Sequence, residues 1–299
     1  MEKVGIILFK ILARLLSLLP LRVLYAISDF NRLLIYFVFH YRRKVVETNL
    51  KNAFPEKSEA ERKNIEWRFY QHLCDLFIEE IYLMYTSRKK AIKLLTLKNP
   101  EVLEKYYNEG RSVVATGGHY GNWELYSILP VYLKFKVIGA FKTIQNSEFE
   151  QLMNNTRSRF GSLPVQMHDI ARESIKMYRN GEKFFLGLIN DQTPARGDIR
   201  FWTKFLNQQT AVFLGAEKLA VKLNLPVVFC NMRKLKRGRY EVEFRLLEEN
   251  PKDTKPYEIT KLHVKALEEL IREKPEYWLW SHKRWKYKPK DVKVSNVIN

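Results

Sequence analysis

Cysteine is almost missing. Cys74 and Cys230 are the two thiols in 299 residues, and their isolation excludes a disulfide framework and a cysteine-rich metal site. Such scarcity fits a reducing, cytosol-facing location. No Gly-x-Ser-x-Gly elbow occurs, which removes the serine-hydrolase nucleophile, and neither cysteine has a nucleophile-like setting. Gly117, Gly118 and Gly121 match neither the dinucleotide nor the P-loop spacing. One histidine with one glutamate leaves no third ligand, so no metal is expected. Internal repeats, low-complexity linkers and the aromatic-basic signature of an RNA-binding sheet are absent, so no nucleic-acid partner is expected. Acid is in deficit: 33 Asp and Glu face 52 Lys and Arg, a formal charge of +19 that points to an anionic partner or surface.

The first forty residues are mostly apolar, yet no uncharged run reaches the length of about 18 that marks a spanning helix. From Val4 to Leu19 the polar residues Lys10, Arg14 and Ser17, with Lys3, draw one narrow stripe along a helix. Pro20 breaks it. A second run, Val23 to Tyr41, carries Asp29, Asn31 and Arg32 and ends in Arg42-Arg43-Lys44. The pattern reads as one or two helices lying in a membrane interface, with cations toward headgroups. A single span with snorkelling cations and a hairpin buried in the core are the alternatives. Residues 1–45 are thus a membrane-associating helical segment and 46–299 a single α/β domain.

Ser58 and Glu61 form a capping box that opens a long helix to about Tyr85. Its apolar residues Ile65, Phe69, Leu73, Leu76 and Leu83 read as core, and His72 as structural. From Asn99 onward helices and strands alternate, with strands at Val113–Ala115, Lys136–Phe141 and Phe184–Ile189. That order implies a mostly parallel central sheet flanked by helices. Ser147 with Glu150 is a second capping box. A polar loop follows Asn190-Asp191-Gln192, then a helix from about Thr210 to Leu223. Next comes a hairpin whose tip, Arg233 to Arg239, is either a solvated turn or a binding patch.

Chemistry concentrates at Thr116-Gly-Gly-His119-Tyr-Gly-Asn-Trp-Glu124. Five residues at about 100° each place His119 and Glu124 roughly 140° apart, off any common helical face. The spacing makes sense if His119 ends a strand and Asn122 caps a helix whose first turn holds Glu124. The carboxylate then curls back to one imidazole nitrogen and leaves the other free as a base, a device that accelerates reactions by about 10²–10⁴-fold. With no enzyme nucleophile, the hydroxyl it activates belongs to a substrate.

His119-x4-Glu124 resembles the His-x4-Asp/Glu signature of the glycerolipid and lysophospholipid acyltransferase superfamily. The order along the chain is similar to the lauroyl and myristoyl transferases of lipid A synthesis. Phe141-Lys142-Thr143 with Asn146, Thr156-Arg157-Ser158-Arg159, Asp191-Gln192 with Pro194 and Gly197, and Trp278-Leu-Trp280-Ser-His282-Lys-Arg284-Trp285-Lys286 all resemble segments of that family. The likeness covers nearly the whole chain. Lys142 departs from the usual arginine and loses its bidentate fork, and Thr143 departs from the usual proline.

The resemblance implies a glycerolipid acyltransferase-like fold and transfer of a fatty acyl chain from an acyl-carrier-protein thioester to a hydroxyl of a lipid A precursor. It implies no cofactor, and as partners acyl carrier protein, an anionic glycolipid and the membrane surface. The place implied is the inner membrane of a Gram-negative bacterium, facing the cytoplasm. His119 would be the base, Glu124 its orienting carboxylate, and Arg157 and Asp191 catalytic. Asp191 either holds Arg157 or binds the sugar. Gly118, Asn122, Lys142, Arg159, Gln192 and Arg284 would contact substrate. The oxyanion donor is either a backbone amide of Gly118 to Gly121 or the Arg157 guanidinium. The alternatives are another lipid acceptor (a lysophospholipid, an inositol mannoside or an aminolipid) with acyl-carrier-protein or acyl-CoA as donor, and a non-catalytic basic scaffold.

Overall fold

The computed structural model describes residues 2–292. Four helices come first: α1 (Glu2–Ser17), α2 (Leu21–Leu33), α3 (Arg43–Ala53) and α4 (Glu59–Tyr85). Pro20, which has no N–H to continue α1, stands between the first two. The expected capping box opens α4: the Glu61 N–H donates to Ser58 Oγ, and Glu61 Oε2 accepts from the Ser58 N–H at 2.7 Å. Then come α5 (Arg88–Ala91), β1 (Leu95–Leu97), α6 (Glu101–Asn108), β2 (Val113–Gly117), β3 (Lys136–Phe141) and α7 (Ser147–Ser158). They are followed by β4 (Leu163–Gln166), α8 (Ile170–Arg179), β5 (Phe184–Ile189), β6 (Trp202–Phe205) and β7 (Gln208–Ala211). The last are α9 (Gly215–Leu223), β8 (Val227–Lys236), β9 (Arg239–Glu248) and α10 (Glu258–Glu273).

Seven strands form one sheet in the order β1-β9-β8-β2-β5-β3-β4. The five from β8 to β4 run parallel, while β9 returns antiparallel to β8 and pairs parallel with β1. The fold is therefore α/β with a mostly parallel sheet and N-terminal helices, as the alternation in the sequence implied. Both faces are covered, which is why β2 is buried at every position. Val113 and Ala115 pack toward α4 and the 3-10 segment Trp123–Val131, and Val114 packs toward α8 and α9.

Local readings differ in three places. The stretch after Gln192 is not only loop: β6 and β7 pair as an antiparallel hairpin, and the following helix starts at Gly215. The cap of α7 is Asn146, whose Oδ1 accepts from the Phe149 N–H at 2.9 Å, while Glu150 accepts from the Ile144 N–H. The basic hairpin tip is neither simply solvated nor an open patch. Arg237 pairs with both Asp29 and Asp75, and Lys234 with Asp75 at 3.0 Å.

Among the described residues no helix is long and apolar enough to cross a membrane. Instead α1 and α2 turn apolar side chains outward, with Leu8, Leu15 and Phe30 each about 60 % exposed. A hairpin buried in the core would not leave that face bare. Arg14 is exposed on the same helix, and the side chain of Lys3, which opens the polar stripe, lies outside the described ones.

Candidate active site

β2 and β5 lie side by side and end together, with Gly117 opposite Ile189. Two residues beyond that pair, still at the same offset, stand His119 and Asp191. The register of two parallel strands thus brings together side chains 72 positions apart. The site lies beyond the carboxyl ends of the strands, where open α/β sheets place their ligands.

The carboxylate on His119 is Asp191, not Glu124 as the five-residue spacing suggested. Asp191 Oδ1 lies 2.6 Å from His119 Nδ1, and Oδ2 accepts from the His119 backbone N–H at 2.8 Å and the Trp278 Nε1–H at 2.7 Å. Burial pushes the Asp191 carboxyl up, but the imidazole and these N–H donors outweigh it and hold it well below the usual carboxylate range. Nδ1 therefore carries the proton and Nε2 keeps its lone pair. Gln192 Nε2 donates to Nε2 at 3.1 Å, and the Trp123 ring meets the imidazole edge to face at 5.0 Å. Asp191 does not hold Arg157.

Glu124 takes a different partner. Arg157 Nε and Nη2 donate to its two oxygens at 2.9 and 2.7 Å, a bidentate pair bridging the 3-10 segment and α7. Behind the pair lies Glu80 of α4, whose carboxyl oxygens are buried and have no partner among the described residues. Glu124 thus takes the guanidinium, and Glu80 feels its charge without bonding to it. Burial, and then Glu124, push the Glu80 carboxyl upward, with Arg157 opposing. A carboxyl whose folded pKa exceeds its unfolded value of about 4.3 stabilises the fold fully below that value and loses the contribution as pH rises toward the folded one. Glu80→Gln is accordingly expected to leave the thermal midpoint near pH 5 unchanged and to raise it near pH 8. A variant midpoint that falls with pH as steeply as the wild type would contradict a proton on Glu80.

His119, Glu124, Lys142, Arg157 and Gln192 line one cavity of about 570 Å³. Exposed Lys142 and Asp198 mark its opening. Its floor is a row of small residues in register across four neighbouring strands, Ala115, Gly187, Gly139 and Pro164. Three strand spacings of about 4.8 Å make an apolar trough roughly 14 Å long. Nothing stands within 4 Å of where a Gly139 Cβ would lie.

Four expected contact residues lie elsewhere. Asn122 makes no side-chain cap; it is buried and donates to Glu79 Oε2 at 2.8 Å. Arg159 donates to the carbonyls of Leu83 and Thr86, securing the end of α4. Arg284 is 2 % exposed and donates to the Ala211 carbonyl, and burial lowers its guanidinium to about 10 with Asp191 opposing. Gly118 is packed so closely that a Cβ would stand 2.5 Å from Leu267 Cδ1 and 3.2 Å from Asp191 Oδ2. Trp280 is buried like Trp278, and its Nε1–H donates to the Pro275 carbonyl.

The sequence reading missed Trp278 as a donor to Asp191, and missed Glu80. A faint signal for Glu80 existed: it follows Leu76 by four residues, where the next apolar residue of α4 belongs. Of the amides in the Gly118–Gly121 loop, that of His119 is bound to Asp191 and that of Gly121 to the Tyr277 carbonyl. Among the described residues, no group of three or more His, Cys, Asp or Glu side chains is placed to hold a metal ion. The arrangement is that of a general base beside an apolar slot, with cationic and amide donors on the slot's wall.

A profile described as bacterial lipid A biosynthesis acyltransferase matches residues 2–287. The lipid A biosynthesis lauroyltransferase of Escherichia coli (strain K12) is 23 % identical over 255 residues, covering 84 % of this chain and 81 % of that protein. The crystal structure of the 1-acyl-sn-glycerophosphate acyltransferase from Thermotoga maritima is similar at 13 % identity with a TM-score of 0.37. It covers 84 % of this chain and 99 % of that one, a likeness too loose to argue from.

Proposed function

The chain belongs to the bacterial lipid A biosynthesis acyltransferase family, and from that premise we propose that it carries a fatty acyl group from an acyl-carrier-protein thioester to a hydroxyl of a lipid A precursor. The observation that carries this reading is the His119–Asp191 pair opening onto the apolar trough. His119 Nε2 takes the proton of the acceptor hydroxyl as its oxygen attacks the thioester carbonyl. Asp191 stabilises the imidazolium so formed. The tetrahedral intermediate carries an oxyanion within reach of donors on the cavity wall, the Gln192 amide and the Arg157 guanidinium. Its collapse breaks the carbon–sulfur bond, and Nε2 returns the proton to the departing thiolate. No acyl-enzyme forms.

The trough receives the acyl chain. If so, Gly139→Leu narrows its floor, and the preferred donor shifts to shorter acyl chains in a competition among acyl-carrier-protein thioesters of graded length. An unchanged preference would remove the trough from the acyl path.

The outward apolar faces of α1 and α2 and the charge of +19 support a place on an anionic membrane surface, with an acidic carrier protein delivering the donor. The matching compartment is the cytoplasmic face of the inner membrane. The test is purified full-length protein with defined acyl-carrier-protein thioesters and a tetra-acylated lipid A precursor. One added acyl group in the mass spectrum is the expected result. Turnover of a lysophospholipid with the precursor untouched would overturn the choice of acceptor.

A further inference from the structure

Helix α2 sends polar side chains inward beside the fully buried Leu24. Its apolar Val23, Phe30 and Leu33 face outward, while Tyr25, Ser28 and Asp29, at the spacing of one helical face, turn inward onto α4. There they meet side chains of α4 at its own four-residue spacing. The Ser28 hydroxyl donates to Asp75 at 2.8 Å, and the Tyr25 hydroxyl donates to Glu79 Oε1 at 2.8 Å.

Glu79 is 1 % exposed, and its carboxylate accepts from four donors on three parts of the chain. Oε1 accepts from Tyr25 and from the Gly238 N–H at 3.1 Å. Oε2 accepts from the Tyr240 hydroxyl and from Asn122 Nδ2, both at 2.8 Å. Asn122 stands three residues after His119. Two turns earlier on α4, His72 reaches the same loop, its Nε2–H donating to the Gly121 carbonyl at 3.2 Å. Gly121 itself has a φ of +61°, and a Cβ there would press on Met232 at 3.0 Å. The segment that carries the base is thus held from behind by α4, and α4 is held in turn by the inward face of α2.

We propose that Glu79 is a positioning residue that couples the seating of α2 on a lipid surface to the placement of the His119 loop, so that lipid contact raises the rate of transfer. This rests on the acyl-transfer reading above. α2 gains its outward apolar burial only at a surface, and the inward bonds to Glu79 and Asp75 hold best when the helix is seated. A bound helix fixes the Oε1 side of Glu79 and thereby the Oε2 side, where Asn122 hangs.

The test uses full-length protein, the acceptor presented either in anionic phospholipid vesicles or as a soluble short-chain analogue. Wild-type kcat is expected to rise about tenfold on vesicles, within the usual range of coupling between two sites. Tyr25→Phe removes one hydroxyl and is expected to keep kcat on the soluble analogue and to lose the rise on vesicles, while still co-sedimenting with them. Glu79→Gln turns an amide N–H₂ toward two donors and is expected to lower kcat in both formats with KM unchanged. A Tyr25→Phe rise equal to that of the wild type would overturn the coupling. So would an unchanged kcat in Glu79→Gln.

An independent reading comes from the His119 imidazole nitrogens by NMR. Their resonances are expected to shift on adding vesicles to the wild type and not to Tyr25→Phe, and equal shifts in both would overturn the coupling. Wild-type protein that shifts these resonances but acylates no lipid A precursor would defeat the proposed reaction and leave the coupling standing.

Discussion

Asp191→Asn is expected to lower kcat by about 10³–10⁴-fold with little change in KM. The geometry says why. Asp191 Oδ2 accepts two N–H groups, from the His119 backbone and Trp278. In the variant the amide oxygen stays with those donors, so the NH₂ takes the place of Oδ1, 2.6 Å from His119 Nδ1. Two donors cannot face each other there. Nδ1 becomes the acceptor, the proton moves to Nε2, and the nitrogen facing the substrate can no longer accept one. Steady-state kinetics measures the loss, and the imidazole nitrogen NMR spectrum reads the tautomer directly. Retention of most of the activity would mean that the Asp191 contact does not orient the base.

Removing the guanidinium at Arg157 takes the partner from Glu124 and the nearby positive charge from Glu80. Arg157→Met leaves both carboxyls in a part-buried site without that cation. Breaking a buried ion pair from one side typically costs about 3–5 kcal/mol, here lessened at low pH, where both carboxyls can protonate. Denaturant unfolding is expected to show the loss, larger above neutral pH than near pH 5. Adding Glu124→Gln is expected to recover part of the stability but not the activity, because the cavity wall then lacks the Arg157 guanidinium. A single variant as stable as the wild type at all pH values would show that the cluster is already neutral without Arg157.

The core of the sheet was readable because it announces itself locally. Phe184–Ile189 is an unbroken apolar run, and β5 occupies those residues. Ser58 and Glu61 carry a capping box whose chemistry is contained in four residues. The β6–β7 hairpin was not readable, because its turn is Leu206-Asn207, both at positive φ, where the usual signal is Asn-Gly or Asp-Gly. Tertiary contacts hold that turn instead: Leu206 is fully buried, and its N–H donates to Glu268.

The site was legible in membership more than in wiring. His119, Glu124, Arg157 and Gln192 do meet at one cavity, with Asp191 directly behind His119. Which carboxylate serves which partner depends on the register of β2 against β5 and on where α7 lies, and no window of sequence displays either. Nearness along the chain suggested Glu124 for His119, whereas adjacency in the sheet supplied Asp191. Arg284 shows the opposite error, since a basic residue in a Trp-rich tail suggests a surface contact and this one is buried.

The row Ala115, Gly187, Gly139 and Pro164 gives the trough a one-way history. At both glycines the floor is bare backbone, and no amino acid is smaller than glycine. Every substitution at Gly139 or Gly187 therefore adds atoms to the slot, and drift at these positions can only make it shallower. Apart from the few atoms of Ala115 and Pro164, a lineage that needed a deeper slot would find it in the opposite wall, among Trp123, Tyr126 and Leu129, where larger side chains remain to be trimmed. The two glycines are thus a fixed datum, and divergence in what the slot accepts is expected to be written mainly in the 3-10 segment above them.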